Sequence, residues 1–319
     1  MRTRYLMIFL LTAGIGFSQT SDNQPSGCVG CFSEQQSTLL FRGAYDELYL
    51  VTPTGNFTVP MPHGWVGQNA SPIPAISPSG DQVAWSLTFM LNADIVKCDP
   101  STKDWCDLKP KPIYKSVMGV YSVRDKTWKQ YGEFESVGSA AFSADGKKIA
   151  FTRDDGLTIL DLETDQMTTV RDPGSRSVFW VDQLSWSPDG RFLAGSVNAP
   201  GSGRIVVIDL ATGETKTIAE GSNPSWSPKG DWIAYSHMII HPDGTGARSV
   251  LEREHKWMNW EVDAPIVWSP DGERLLLNQR NSDAAGSRVI MVDLATGHAV
   301  RIFKNGQVVV SGWVPYSGK

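Results

Sequence analysis

The stretch "WSPDGRFLAGS" (186–196) decides the fold, because the chain writes it again as "WSPKGDWIAYS" (226–236) and "WSPDGERLLLN" (268–278). Its centre recurs more widely. "SPSG" ends at Gly80 and "SADG" at Gly146, followed by the turns ending at Gly190, Gly230 and Gly272. The last four glycines stand 44, 40 and 42 residues apart, and the first step, of 66, contains a Cys-bearing excursion: one period plus an insertion. A period near 40 with strand-like content is that of a propeller blade. The centre also has a mechanism. In Ser187-Pro188-Asp189-Gly190 the serine bonds the backbone ahead and proline holds φ near about −65°. The glycine takes the positive φ that lets a strand leave a type I hairpin turn. Ile76, Phe142, Trp186, Trp226 and Trp268 precede the five turns, and short apolar strands such as "KIAFTR" and "FLAGSV" follow them. Such runs suit sheets covered on both faces, as between stacked blades.

A second turn closes each unit. "LDLETD" (160–165), "IDLATG" (208–213) and "VDLATG" (292–297) each follow a β-rich run and precede another short strand. One unit therefore reads as four antiparallel strands, which is one blade. Residues 38–61 supply three strands and a "TPTG" turn with no Ser-Pro strand before them, while "VVVSGWVPY" (308–316) carries Trp313-Val314-Pro315 and stops. We expect this last strand to complete the first blade, latching the ring so that no sheet edge is exposed. The count is six blades over residues 37–316, an all-β fold. Two departures stand out. The second blade holds an insertion (92–112), and the fifth, "WIAYSHMIIHPDGTGARSVLE", shows no clear turn between its second and third strands, although "HPDGTG" fits the closing turn.

"WSPDGRFLAGS…RIVVIDLATGETKTI" resembles the repeat of TolB-like, WD-repeat-like six-bladed β-propellers, and the resemblance covers roughly residues 37 to 316. It specifies the fold, because the motif recurs five times at the expected period, and it does not specify function, because the motif residues build turns. That family includes periplasmic scaffolds that bind other proteins, propeller parts of peptidases and a few carbohydrate-active propellers. The separate N-terminal α/β domain of TolB finds no match in the short segment before the first strand, so a direct role in the Tol–Pal envelope system is not expected.

The bulk numbers agree with an exported globular chain. Of 319 residues, 20% are charged and 41% hydrophobic, and the formal charge of −5 with no basic run argues against a nucleic-acid partner. Arg2 and Arg4, the apolar run 5–17, and small Gly16 and Ser18 follow the order of a signal peptide (1–18) cleaved after Ser18. That run is too short for a transmembrane helix, and no other segment approaches membrane length. Losing Arg2 and Arg4 leaves 27 basic against 34 acidic residues, about −7. The expected locations are the periplasm or the extracellular space, with no membrane span after processing and a monomeric chain. Four cysteines fit that compartment. Cys98 and Cys106 flank "CDPSTKDWC" and would staple a loop. Cys28 and Cys31 form "CVGC" in the N-terminal segment (19–36), where a second staple is expected over a redox or zinc site, since no second CxxC and no βαβ pattern follows. Cys28 as a lipid acceptor lies far from the apolar run. Four cysteines permit three pairings, which the sequence leaves open.

Catalysis needs convergent titratable groups. His237 and His241 stand four apart in "HMIIH", where an even separation along a strand shares a face, and with His255 they are candidate metal ligands. Metal-dependent lyases of pectin fragments on related propellers use histidines, but no His-Glu-x-x-His frame is present. No Gly-x-Ser-x-Gly elbow, phosphate loop or dinucleotide fingerprint occurs either. Asp145, Asp189, Asp271, Asp161, Asp209 and Asp293 sit inside turns and are explained by turn chemistry. "NFT" (56–58) and "NAS" (69–71) are glycosylation acceptors in a eukaryotic host only. The strongest recognition candidate is "EHKWMNWEVD" (254–263), where Trp257, Met258 and Trp260 crowd the segment between blades five and six; the alternative is that they fill the blade interface. The insertion at 92–112 is the second candidate. The expectation is a non-enzymatic exported propeller that binds a protein or peptide without a cofactor. The alternatives are a carbohydrate-active enzyme of the metal-assisted lyase type, or a sugar-binding module.

Overall fold

The computed structural model describes residues 37–42, 47–65, 73–92, 97–99, 107–109, 113–153, 156–170, 182–199, 202–251, 261–281, 286–303 and 309–317. These residues form six four-stranded antiparallel sheets and one separate two-stranded hairpin, with no helix among them. From the inside outward, blade 1 is Val309–Pro315, Ser37–Arg42, Leu48–Thr52 and Gly55–Val59. Blade 2 is Ala75–Ile76, Gln82–Met90, Tyr114–Ser122 and Thr127–Phe134, and blade 3 is Val137–Phe142, Lys148–Arg153, Gly156–Asp161 and Met167–Thr169. Blade 4 is Asp182–Trp186, Phe192–Ala199, Ser202–Asp209 and Thr215–Glu220. Blade 5 is Ser225–Trp226, Ile233–Tyr235, Met238–Ile240 and Arg248–Ser249, and blade 6 is Glu261–Trp268, Arg274–Asn281, Gly286–Asp293 and Ala299–Phe303.

The five Ser-Pro-type turns behave alike. Each glycine N–H donates to the serine carbonyl three residues back, at 2.9 or 3.0 Å, and each glycine φ lies between 70° and 79°. The serine hydroxyl accepts from the backbone N–H five residues on and donates to a carboxylate: Ser143 to Asp145, Ser187 to Asp189 and Ser269 to Asp271. "SPSG" and "SPKG" lack that aspartate, yet Ser77 and Ser227 still donate to one, because Asp81 and Asp231 follow the glycine. The closing turns lie on the same side of the ring. Leu162, Leu210 and Leu294 of the "DL" pairs donate backbone N–H to Lys147, Arg191 and Glu273, each just past a glycine of the first turn.

There is no single core. Six apolar clusters occur, each shared by two neighbouring blades. One joins Ala141, Ala150 and Leu157 of blade 3 to Leu184, Trp186, Leu193, Val206 and Ile208 of blade 4. The equivalent clusters close the other five interfaces, including that between blades 6 and 1. The motif tryptophans belong to this packing. Trp186 Nε1–H donates across the interface to the Ala141 carbonyl at 2.9 Å, and Trp268 Nε1–H to the Ser225 carbonyl at 2.9 Å. Burying an aromatic with its one polar atom satisfied avoids the desolvation cost of an orphaned N–H.

The ring closes as expected, with Leu39 opposite Trp313 and Leu40 opposite Gly312 in blade 1. A Cβ on Gly312 would stand 2.3 Å from Ile76 Cγ2 of blade 2, so only glycine lets the closing strand approach its neighbour. Asn278 of blade 6 ties that strand from the other side. Its Nδ2 donates to the carbonyls of Pro265 (2.7 Å) and Val310 (2.8 Å), and its Oδ1 accepts from Val310 N–H at 2.9 Å. Blade 5 does carry a second turn, the two-residue hairpin Ser236-His237 between paired Tyr235 and Met238, with Ser236 at φ 48°. No glycine, proline or asparagine marks it, which hides it from a reading of turn residues. The insertion contains a small hairpin, Lys97–Asp99 against Asp107–Lys109, with Cys98 opposite Leu108. Cys106, Cys28 and Cys31 lie outside the described residues.

Two measurements test this closure. Truncation after Gly306 exposes the edge of Ser37–Arg42, and a large fall in thermal midpoint with aggregation is expected by circular dichroism and light scattering. Asn278→Ala strands the Val310 N–H and is expected to cost about 1–3 kcal/mol in urea unfolding. Unchanged unfolding of both variants would contradict the latch.

Candidate functional site

The strand order gives the ring two unlike faces. One carries the Ser-Pro turns and the closing turns. The other receives the connections between second and third strands and those between blades. The insertion leaves from the second face, since it joins Gln82–Met90 to Tyr114–Ser122. The segment with Trp257, Met258 and Trp260 joins Arg248–Ser249, which ends toward that face, to Glu261–Trp268, which starts there. Those three residues and His255 lie outside the described residues.

A central channel of about 490 Å3 runs between the inner strands of all six blades. Its described lining carries no titratable side chain and is built from small or apolar residues such as Ala75, Ala140, Ser185, Ser225 and Gly312. At the turn face, Pro78, Pro188, Pro228, Pro270 and Pro315, with Ala144 in the sixth position, line its mouth. The proline at the second position of four of the five turns is therefore also a channel residue, a role the turn chemistry alone does not reveal. Toward the other face the inner strands are irregular. Register shifts interrupt the pairing of inner and second strands in blades 1, 3, 4 and 6. Such bulges re-aim side chains. Gln183 and Asn223, at φ 54° and 58°, enter blades 4 and 5. Gln183 Oε1 accepts from Ser196 Oγ–H (3.0 Å) and Asn223 N–H (2.8 Å), and Asn223 Nδ2 donates to the Val262 carbonyl of blade 6 at 3.0 Å. These polar side chains connect blades.

The structure does not bring His237 and His241 together. They sit at opposite ends of the strand Met238–Ile240, and four residues of extended chain separate Cα atoms by about 13 Å. His237, on the loop face, has Nε2 3.0 Å from Gln279 Nε2. Gln279 Oε1 in turn accepts from Arg288 Nε–H at 3.1 Å, which orients the amide so that its N–H donates to the imidazole. Burial, with Arg301 nearby, lowers the Arg288 pKa to about 10. His241, on the turn face, has Nδ1 2.9 Å from the Asp231 carbonyl and stacks on Trp232 at 3.8 Å between centroids, with Arg248 over the same indole. Among the described residues, no group of three His, Cys, Asp or Glu could hold a metal ion.

The turn aspartates are held below the ordinary carboxylate range by the groups they accept from. For Asp145 and Asp189 the first cause is the serine hydroxyl, for Asp161 and Asp209 a backbone N–H, and for Asp293 and Asp243 a threonine hydroxyl. A carboxyl with a depressed folded pKa binds protons more weakly folded than unfolded. Its stabilisation is complete above the unfolded value, about 4, and fades as pH falls through the folded one. The thermal midpoint is therefore expected to fall steadily below about pH 4. Asp189→Asn should flatten part of that slope when followed by calorimetry.

Comparison with known proteins agrees with this architecture. No family model matches the chain. Protein tipD of Dictyostelium discoideum is 38% identical over 87 residues, 24% of this chain and 14% of that protein, so the chain spans a small fraction of its length. Among solved structures, TolB from Acinetobacter baumannii superposes with a TM-score of 0.61 at 17% identity, covering 89% of this chain and 67% of that one. The putative TolB from Agrobacterium tumefaciens gives 0.55 at 14% identity, with 87% and 93% covered. An oligogalacturonate lyase in complex with manganese gives 0.50 at 14% identity, with 78% and 74% covered. At these identities the likeness is one of fold: the chain is similar to the TolB propellers in having six four-stranded blades closed into a ring.

Proposed function

We propose that this chain is an exported, non-enzymatic scaffold that holds a protein or peptide partner on the loop face of its propeller. The carrying observation is topological. Both recognition candidates, the insertion at 92–112 and the segment with Trp257, Met258 and Trp260, are anchored by strands that end on one face. The channel beneath them is lined, among the described residues, by small and apolar side chains. A rigid ring that anchors two long connections on one face suits recognition. The signal-like leader supports export, as does the likeness of fold to TolB structures. Among the described residues no helix is long and apolar enough to cross a membrane.

The test is an interaction screen with the secreted chain as bait, the wild type beside Trp257→Ala/Trp260→Ala. A partner captured by wild type and bound about tenfold or more weakly by the double variant supports the reading. No partner, together with hydrolytic or lyase turnover, overturns it. The aromatic pair also permits a second reading, sugar binding, and a glycan array with the same two proteins separates them. Metal at one ion per chain that His237→Ala or His255→Ala removes would instead point to the metal-assisted lyase.

A further inference from the structure

The turn face carries a feature that neither the repeat nor the loop face explains. Between blades 4 and 5 lies a groove of about 1030 Å3. Its origin is the shortness of blade 5, whose outer strand Arg248–Ser249 has two residues against six in Thr215–Glu220 of blade 4. The floor is apolar. Phe192 and Trp226 stack with centroids 6.3 Å apart and rings inclined 17°, beside Val207 and Pro242. The walls are acidic, lined by Asp189, Asp209, Glu214 and Asp243.

Of the two lysines in the same walls, Lys229 is turned outward and Lys216 stays at the groove. Lys229 Nζ–H donates to Glu273 of blade 6 at 2.5 Å, and Lys216 Nζ–H donates to the Asp243 carbonyl at 2.7 Å. Arg191 pairs with Asp209, lies over the Phe192 ring and acts on Asp189, and Lys216 acts on Asp243, so the lining sets four carboxylates against two lysines. Glu214 is exposed and stands at the rim. The volume exceeds what one side chain fills and matches a ligand of several residues. An apolar floor under an acidic rim complements a chain in which apolar and basic residues alternate.

We propose that this groove docks an extended basic segment of a partner protein, its apolar side chains seated on Phe192, Val207 and Trp226 and its lysine or arginine side chains along the carboxylates. The site is on the face opposite the two recognition loops and does not depend on their assignment.

The test uses the full chain and a fluorescein-labelled peptide, Leu-Arg-Val-Arg-Leu-Arg-Val-Arg, beside its counterpart with glutamate for arginine, followed by anisotropy. Glu214→Lys should weaken binding of the basic peptide about fivefold or more, and Lys216→Glu should tighten it. Glu220→Lys, the same charge change at the far end of the strand Thr215–Glu220 that Glu214 precedes, should leave it within about twofold. The acidic peptide should not bind. Glu214 and Glu220 are exposed, so unchanged thermal midpoints accompany these effects. Equal weakening by Glu214→Lys and Glu220→Lys would reduce the attraction to overall charge and overturn the proposal. No binding by wild type would also overturn it, as would a wild-type dimer in sedimentation that Glu214→Lys dissociates, since a second copy would then be the occupant.

Discussion

The packing of one blade on the next is the interaction on which everything else here depends. A four-stranded sheet with both faces apolar cannot stand in water, and each blade solves this by covering its two neighbours. Because every cluster is shared between blades, stability is a property of the ring and of no single blade. The motif tryptophans express this. Trp186 is 8% exposed, and its one polar atom is satisfied by the backbone of the preceding blade. Trp226 departs from that scheme, using the Gly230 carbonyl for its indole N–H while its backbone N–H takes the Ser185 hydroxyl of blade 4. The stitch is kept although the atoms differ.

A ring of this kind has one vulnerable seam, between the first strand of the chain and the last. The seam is dense for that reason. Trp313 sits 5% exposed among Leu39, Phe41, Val267 and Leu276, Gly312 gives the backbone room against Ile76, and Asn278 bonds the closing strand from blade 6. Tyr316 OH adds a hydrogen bond to Thr54 Oγ1 at 3.1 Å, across the strands of blade 1. Trp313-Val314-Pro315 thus repeats the Trp-Ser-Pro pattern in position, with Pro315 joining the proline ring of the channel mouth.

The repeat was legible because turn chemistry is local: Ser, Pro and Gly at fixed offsets describe one backbone path whatever surrounds them. Its variants were harder to read. Asp81 and Asp231 sit outside the four-residue motif, yet they reach the same serine as the aspartates inside it, so a reading by position misses an equivalence of contact. The bulges at the loop-face ends of the inner strands leave no composition signal. Neither does the hairpin at Ser236-His237, where an ordinary serine adopts a positive φ. The spacing of His237 and His241 indicated a shared side of a strand, and spacing alone does not register that a strand's two ends serve opposite faces. The groove between blades 4 and 5 was invisible for a related reason. It arises from what blade 5 lacks, and its walls come from residues as distant as Asp189 and Asp243.

Function is harder to read than fold in such a chain because the recurring residues are consumed by structure. Serines satisfy strand-end amides, aspartates satisfy serines, tryptophans tie blades and prolines line the channel. The proposed recognition sites are those that break the period: the insertion of blade 2, the Trp257–Trp260 segment and the shortened blade 5. Two of these belong to the loop face and one to the turn face, which gives a single rigid ring two separate surfaces. The departures from the repeat are thus where we propose that specificity resides, while the regular positions build the ring that carries them.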